Sequence, residues 1–269
     1  MVATTALPRV WRPLALMALA VAVTVGLSAP IAPHNVADAA GSRYDVSNWT
    51  DPKGKPHRIR WNPCQAAVTY AVNPRLAGKT ERARSSAVRD VADAFRRVSE
   101  RTGITFQYEG RTDEIPSNTK KGSWSDRQRA AEIVVAWVDQ RRARTRTNLM
   151  TDTGGGYGSG VGGWMMRAWT DSAGRWQAAI GRGFVVLNSA HNHLYEPGYG
   201  SGMTRGSLLL HEVGHAMGLG HAGSSREIMY PTMLSRGSSG YKDGDRAGLK
   251  KVGGSLGCIA GASDAWPQI

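Results

Sequence analysis

The sequence predicts an α+β domain: one twisted sheet, a long crossover helix, and a second helix that carries histidines. Three observations predict it. Over residues 67–108 a strand-like alternation, a long helical repeat and a second strand pattern follow one another, and two parallel strands need such a crossover. Ile133–Val138 is wholly apolar, as a central strand buried on both faces requires. Residues 207–220 join helical apolar spacing to two histidines four apart, on one helix face.

In chain order, residues 1–40 read as a secretory signal. Arg9 and Arg12 form a positive start, Pro13–Leu27 is an apolar core, and Ala37-Asp38-Ala39 is an A-x-A-like cleavage site. The competing reading is a retained signal anchor. It is disfavoured because the apolar run falls short of the roughly 20 residues of a spanning helix. Residues 41–63 are polar and rich in Pro, Lys and Trp, and read as an extended N-terminal arm; residues 64–269 form one domain without internal repeats.

Ala67–Val72 alternates Val68, Tyr70 and Val72, a strand. Thr80–Arg101 is a helix: Thr80 caps it, Glu81 suits its first turn, Val88, Val91, Phe95 and Val98 form its apolar stripe, and Gly103 ends it. Ile104–Tyr108 is the second strand, and Asp126–Ala130 begins a short helical turn. Gly154–Gly163 reads as a loop from its glycines. Trp164–Thr170 and Trp176–Leu187 form a hairpin around Asp171-Ser172-Ala173-Gly174. Ser207–Gly220 is the histidine helix, and Asp245–Val252 is a last helix with Asp245 as N-cap.

The chain has 269 residues and a formal net charge of +13, enough length for one ordinary domain. Arg9, Arg12 and Asp38 would leave with the signal, so the remainder carries +12. Much of the excess sits in stretches such as Arg141-Arg142-Ala143-Arg144-Thr145-Arg146. Charge of this kind governs solubility and encounter with polyanions, not fold. It reads as a solvated basic surface, with an acidic envelope polymer or acidic substrate as the alternative use. The signal-like start and the lack of any nucleic-acid-binding motif argue against a nucleic-acid partner. The two cysteines, Cys64 and Cys258, lie near opposite ends of the domain. In an oxidising compartment they read as one disulfide.

The chemistry is carried by His211-Glu212-Val213-Gly214-His215-Ala216-Met217-Gly218-Leu219-Gly220-His221, an H-E-x-x-H-x-x-G-x-x-H sequence. His211 and His215 fall one turn apart on one helix face, so both can reach one zinc ion. Gly218 can take positive φ, end the helix and return the chain, so that His221 supplies a third ligand. Three protein ligands leave a fourth position for water, the pattern of a catalytic site. Glu212 stands beside that position as general base. At average residue usage five such fixed positions recur by accident in roughly one chain in 10⁴ to 10⁵, so a helix with merely structural histidines is set aside.

Downstream comes Ile228-Met229-Tyr230-Pro231. The long zinc signature followed by this Met-turn resembles the metzincin metallopeptidases, and most closely their matrixin branch. The resemblance implies a mixed five-stranded sheet, an active-site helix and a small C-terminal subdomain. It implies one catalytic zinc, with Met229 as an apolar floor beneath the ligands. It also implies a substrate strand paired with the sheet edge, placed within 155–170, and a pocket for the residue after the scissile bond near Thr232–Tyr241. Two positions depart from related branches. Pro231 stands where some metzincins carry a zinc-binding tyrosine, with Tyr230 one residue early, and Ala222 after the third histidine marks no subfamily.

Matrixins often hold structural zinc and calcium. His191-Asn192-His193 lacks the spacing for such a zinc and reads as loop near the cleft. Asp152 and Asp171 are isolated, short of the six to eight oxygens calcium takes, so calcium has no support. Nor do Trp61-Asn62-Pro63-Cys64-Gln65 resemble the cysteine switch of matrixin propeptides. Trp164, Trp169 and Trp176 read as packing. The expectation is a secreted, monomeric, zinc-dependent endopeptidase acting on protein or peptide, with no transmembrane segment after signal removal. Two alternatives stand beside it: a non-catalytic zinc-containing envelope-binding module, which has no use for Glu212, and a zinc hydrolase of peptidoglycan cross-bridges.

Overall fold

The computed structural model describes residues 43–118, 130–152, 154 and 156–262. The signal and the turn expected at Asp126–Ala130 fall outside these, apart from Ala130. The central sheet has five strands: β3 (Val68–Asn73), β4 (Phe106–Arg111), β5 (Ile133–Val138), β6 (Gly160–Thr170) and β7 (Trp176–Asn188). Their order is β4-β3-β5-β7-β6. All neighbours are parallel except β6, which runs antiparallel to β7 along the outer edge. The architecture is the expected α+β fold on a mixed five-stranded sheet.

The crossover between β3 and β4 is α1 (Glu81–Thr102). Thr80 has extended backbone and its side chain accepts from the Ala83 amide at 3.2 Å, while Gly103 closes the helix at φ 70°. Ala87, Val91, Ala94, Phe95 and Val98 form its buried face. β5 is buried along its whole length. Ile133, Val135 and Trp137 join the main core with α1 and α2 (Arg205–Ala216), and Val138 joins Phe184 and Val186 in a second, smaller cluster. Period-two alternation thus feeds a core on each side of the sheet.

Several expectations shift. β4 starts at Phe106, two residues later than read, and runs to Arg111 past a register shift opposite Tyr70/Ala71. Gly160–Gly163, read as loop, is the first third of β6. The last helix, α3 (Asp243–Val252), is capped at Lys242 rather than Asp245.

Residues 48–58 carry a hairpin, β1 (Asn48–Thr50) with β2 (Pro56–Arg58), closed by Asp51 Oδ1 accepting from the Lys53 and Lys55 amides. Behind it Ile59 and Trp61 are fully buried, and the Trp61 indole donates to the Ala216 carbonyl at 3.0 Å. These residues pack on the end of the histidine helix instead of trailing from the domain. Cys64 and Cys258 are bonded across a separation of 194 residues.

Closing a loop of that length removes chain entropy from the unfolded state. Replacing both cysteines by serine should lower stability by about 2–5 kcal/mol. Urea denaturation of the pure chain measures this; a loss below about 0.5 kcal/mol would show that the bond does not restrain the unfolded state.

Candidate metal centre and active site

α2 begins at Thr204, whose hydroxyl accepts from the Ser207 amide at 3.1 Å. It ends at Ala216, four residues before the expected limit, because the reversal starts there. Gly218 takes φ 96°, its amide donates to the His215 carbonyl at 2.9 Å, and the Leu219 amide returns to the Gly214 carbonyl at 3.0 Å. These bonds satisfy carbonyls that a helix end leaves open. They also aim the following residues back across the helix face.

The reversal brings three imidazoles together. The candidate ligand nitrogens of His211, His215 and His221 all lie within 4.8 Å of one another, and ring centroids are 4.8–5.4 Å apart. His211 Nδ1 faces the Ile228 carbonyl at 2.8 Å and His215 Nδ1 faces the Leu219 carbonyl at 2.9 Å. Carbonyls only accept, so each Nδ1 carries the proton and each Nε2 presents a lone pair. The two Nε2 atoms stand 3.1 Å apart. Two lone pairs facing at that distance repel unless a cation sits between them. Tetrahedral zinc at about 2.0–2.1 Å spaces its ligand nitrogens about 3.3 Å apart. The donor set therefore fits one zinc ion, with backbone carbonyls orienting two of the imidazoles.

Glu212 follows the first histidine and is buried. A Cβ on Gly160 would lie 2.5 Å from Glu212 Oε1, and one on Gly162 would overlap the Glu212 carbonyl oxygen. Only glycine lets strand and helix approach this closely. Burial pushes the Glu212 carboxyl up to about 8, against a hydrogen bond from the Gly162 amide that favours the carboxylate. A nearby dication favours the charged form in the same way.

Met229 is buried against Gly214, where a Cβ would overlap its sulfur. The Ala222 amide donates to the Met229 carbonyl at 2.8 Å, joining the residue after His221 to this turn. Asp245, fully buried, holds the turn from below. Its carboxylate accepts from the amides of Ile228 (2.7 Å), Met229 (3.1 Å) and Lys242 (3.0 Å). The Tyr241 hydroxyl donates to the Leu210 carbonyl at 2.6 Å, one residue before the first histidine. A hollow lined by Glu227, Ile228, Thr232, Met233, Leu234 and Ser238 lies partly within Thr232–Tyr241.

His191 and His193 stay apart from the metal-competent group, which among the described residues comprises His211, His215 and His221. His191 instead meets the Ser159 hydroxyl at 3.0 Å, beside Gly160. Asp152 accepts from the Gly154 and Gly156 amides, and Asp171 from Ala173, Arg175 and Gln177. Both aspartates turn the backbone. Of the tryptophans, Trp164 packs against the core, Trp169 donates to the Ala260 carbonyl, and Trp176 meets Trp49 edge to face.

A mixed sheet with an antiparallel edge strand, laid against a helix that presents two histidines and returns a third, is the domain of a metzincin metallopeptidase. The matrixin family profile matches residues 60–254, and the chain belongs to that family. No curated protein matches it significantly.

Sequence reasoning missed Asp245 as the anchor of the Met229 turn, and Gly160 and Gly162 as the seat of Glu212. The signal for the glycines was present: glycine inside a strand marks a bulge or a close backbone approach. Gly162→Ala should force β6 away from α2 and lower stability by about 1–3 kcal/mol. Thermal and urea unfolding measure it; a variant as stable as the parent would disprove the close approach.

Proposed function

We propose that the chain is a secreted zinc endopeptidase in which His211, His215 and His221 hold the metal and Glu212 moves the proton. The observation that carries this reading is the convergence of three imidazoles beside a buried carboxylate at the open edge of the sheet. When bound there, zinc supplies Lewis-acid chemistry, acidifying water and polarising a carbonyl. The remaining work falls to the chain. β6 offers its free edge to an extended peptide, fixing the scissile bond by main-chain hydrogen bonds. Glu212 accepts a proton from the attacking water at its carboxylate and returns it to the leaving amine. Gly160 and the Gly162 amide hold that carboxylate in place. Met229 backs the histidines with an apolar surface, and the segment around Thr232–Tyr241 receives the side chain after the cleaved bond.

No helix among the described residues is long and apolar enough to cross a membrane. The signal-like residues 1–40 support export, and one zinc ion and a monomer complete the reading.

Casein hydrolysis by the purified chain should vanish on chelation and return with added zinc. Glu212→Ala should lower kcat by at least about 10²-fold while zinc content stays at the parent level. Unchanged hydrolysis in that variant would rule Glu212 out as the base. Loss of zinc together with activity would give it a structural role instead. Cleavage of purified peptidoglycan in place of casein would shift the substrate to cell-wall cross-bridges.

A further inference from the structure

Residues 43–59 lie upstream of the matrixin match, yet they reach the turn that delivers His221. That turn, Met217–Gly220, has two backbone edges. One faces the metal centre, where the Leu219 carbonyl meets His215 Nδ1 at 2.9 Å. The other pairs with the upstream segment. The Ser47 amide donates to the Gly218 carbonyl at 2.9 Å, the Gly220 amide donates to the Asp45 carbonyl at 3.1 Å, and Val46 bridges Leu219 in antiparallel fashion. The Ile59 amide returns to the Ser47 carbonyl at 3.0 Å, anchoring the segment to the buried Ile59–Trp61 stretch.

The packing matches the hydrogen bonding. A Cβ on Gly220 would overlap the Asp45 carboxylate, and one on Gly218 would lie 2.8 Å from the Ile59 carbonyl oxygen. On α3, a Cβ on Gly244 would overlap the Arg43 carbonyl, and one on Gly248 would lie 3.2 Å from Tyr44 Cβ. Four glycines of the matched domain thus receive the upstream residues. Two of them flank Leu219, in the turn that must be rigid for His221 to meet its partners. Glycine loses more conformational freedom on ordering than any other residue, so a turn with glycines at 218 and 220 gains most from an external partner.

We propose that Arg43–Ser47 is a positioning strap for the third metal ligand, setting zinc affinity from outside the family domain. It rests on the reading of His221 as a ligand. Outer-shell partners of metal ligands are commonly worth about 10–100-fold in metal affinity, and the strap acts at that remove, through the backbone that carries His221.

The test uses the full chain and reads zinc affinity by chelator competition, with unfolding of the metal-free protein as control. Ser47→Pro removes the donor to Gly218, and Gly220→Ala drives a methyl into Asp45. Each should weaken zinc binding by about 10–100-fold, and adding Asp45→Gly to Gly220→Ala should restore most of the loss. His221→Ala separates the two readings. If it abolishes tight binding while Ser47→Pro and Gly220→Ala bind as the parent does, the strap is overturned and the ligand set stands. If His221→Ala itself binds normally, the ligand reading falls first. A double variant as weak as Gly220→Ala alone also overturns the strap. Should a substitution prevent folding, hydrogen exchange of the Gly220 amide in the unmodified, metal-free chain decides. Protection supports the strap, and exchange at the open-chain rate removes it.

Discussion

Two histidines one turn apart on a helix cannot enclose a metal ion; the third must be carried back to them by the chain. The reversal at Gly218 is therefore the constraint on which the centre depends. It works because a positive φ is available there and because both edges of the turn are used. The inner edge orients His215 through the Leu219 carbonyl. Beyond His221 the chain is held again, by Ala222 against Met229 and by Asp245 beneath the Met229 turn. Three segments distant in sequence thus fix one small volume: backbone pairs hold the Gly218 turn and Ala222, and the Asp245 carboxylate holds the Met229 turn.

The second constraint is contact between the edge strand and the active-site helix. Gly160 and Gly162 bring β6 against Glu212, so the strand read as the peptide-binding edge and the carboxylate read as the base share one rigid seat. On that reading, substrate register and proton acceptor are coupled by geometry. Asp245 contributes at a further remove, satisfying three amides that burial would otherwise leave without partners.

Much of this was legible in the residues. The spacing of His211 and His215 puts both imidazoles on one helix face because helical geometry is local, and Gly218 marks the reversal that brings His221 beside them. Thr80 and Gly103 mark the ends of α1, and Asp171–Gly174 marks the hairpin, for the same reason. What escaped was decided at long range. Glycine signals both mobility and close approach, so Gly160–Gly163 read as loop until the helix packed against them was known. Asp245 resembles an N-cap because an acidic residue precedes an apolar helix in either case. Its partners at Ile228 and Met229 lie 17 and 16 residues upstream, out of reach of any local rule. Ile59 and Trp61 are isolated apolar residues in a polar stretch, too few to show a period, and the arm read as extended although it enters the core.

The bond between Cys64 and Cys258 has a bearing on wear. A peptidase is exposed, at its surface turns, to cutting by other peptidases and by copies of itself. A single cut anywhere between the two cysteines leaves both fragments covalently joined, so the five-stranded sheet and the histidine centre can stay assembled around a broken chain. Residues 43–63 lie outside that loop and have no such insurance. A cut after Ser47 and before Cys64 would release the segment paired with Gly218 and Gly220 while leaving the rest tied together. The molecule thus divides into a stretch whose fragments stay joined after a cut and a short one whose fragments part, and the boundary falls at Cys64.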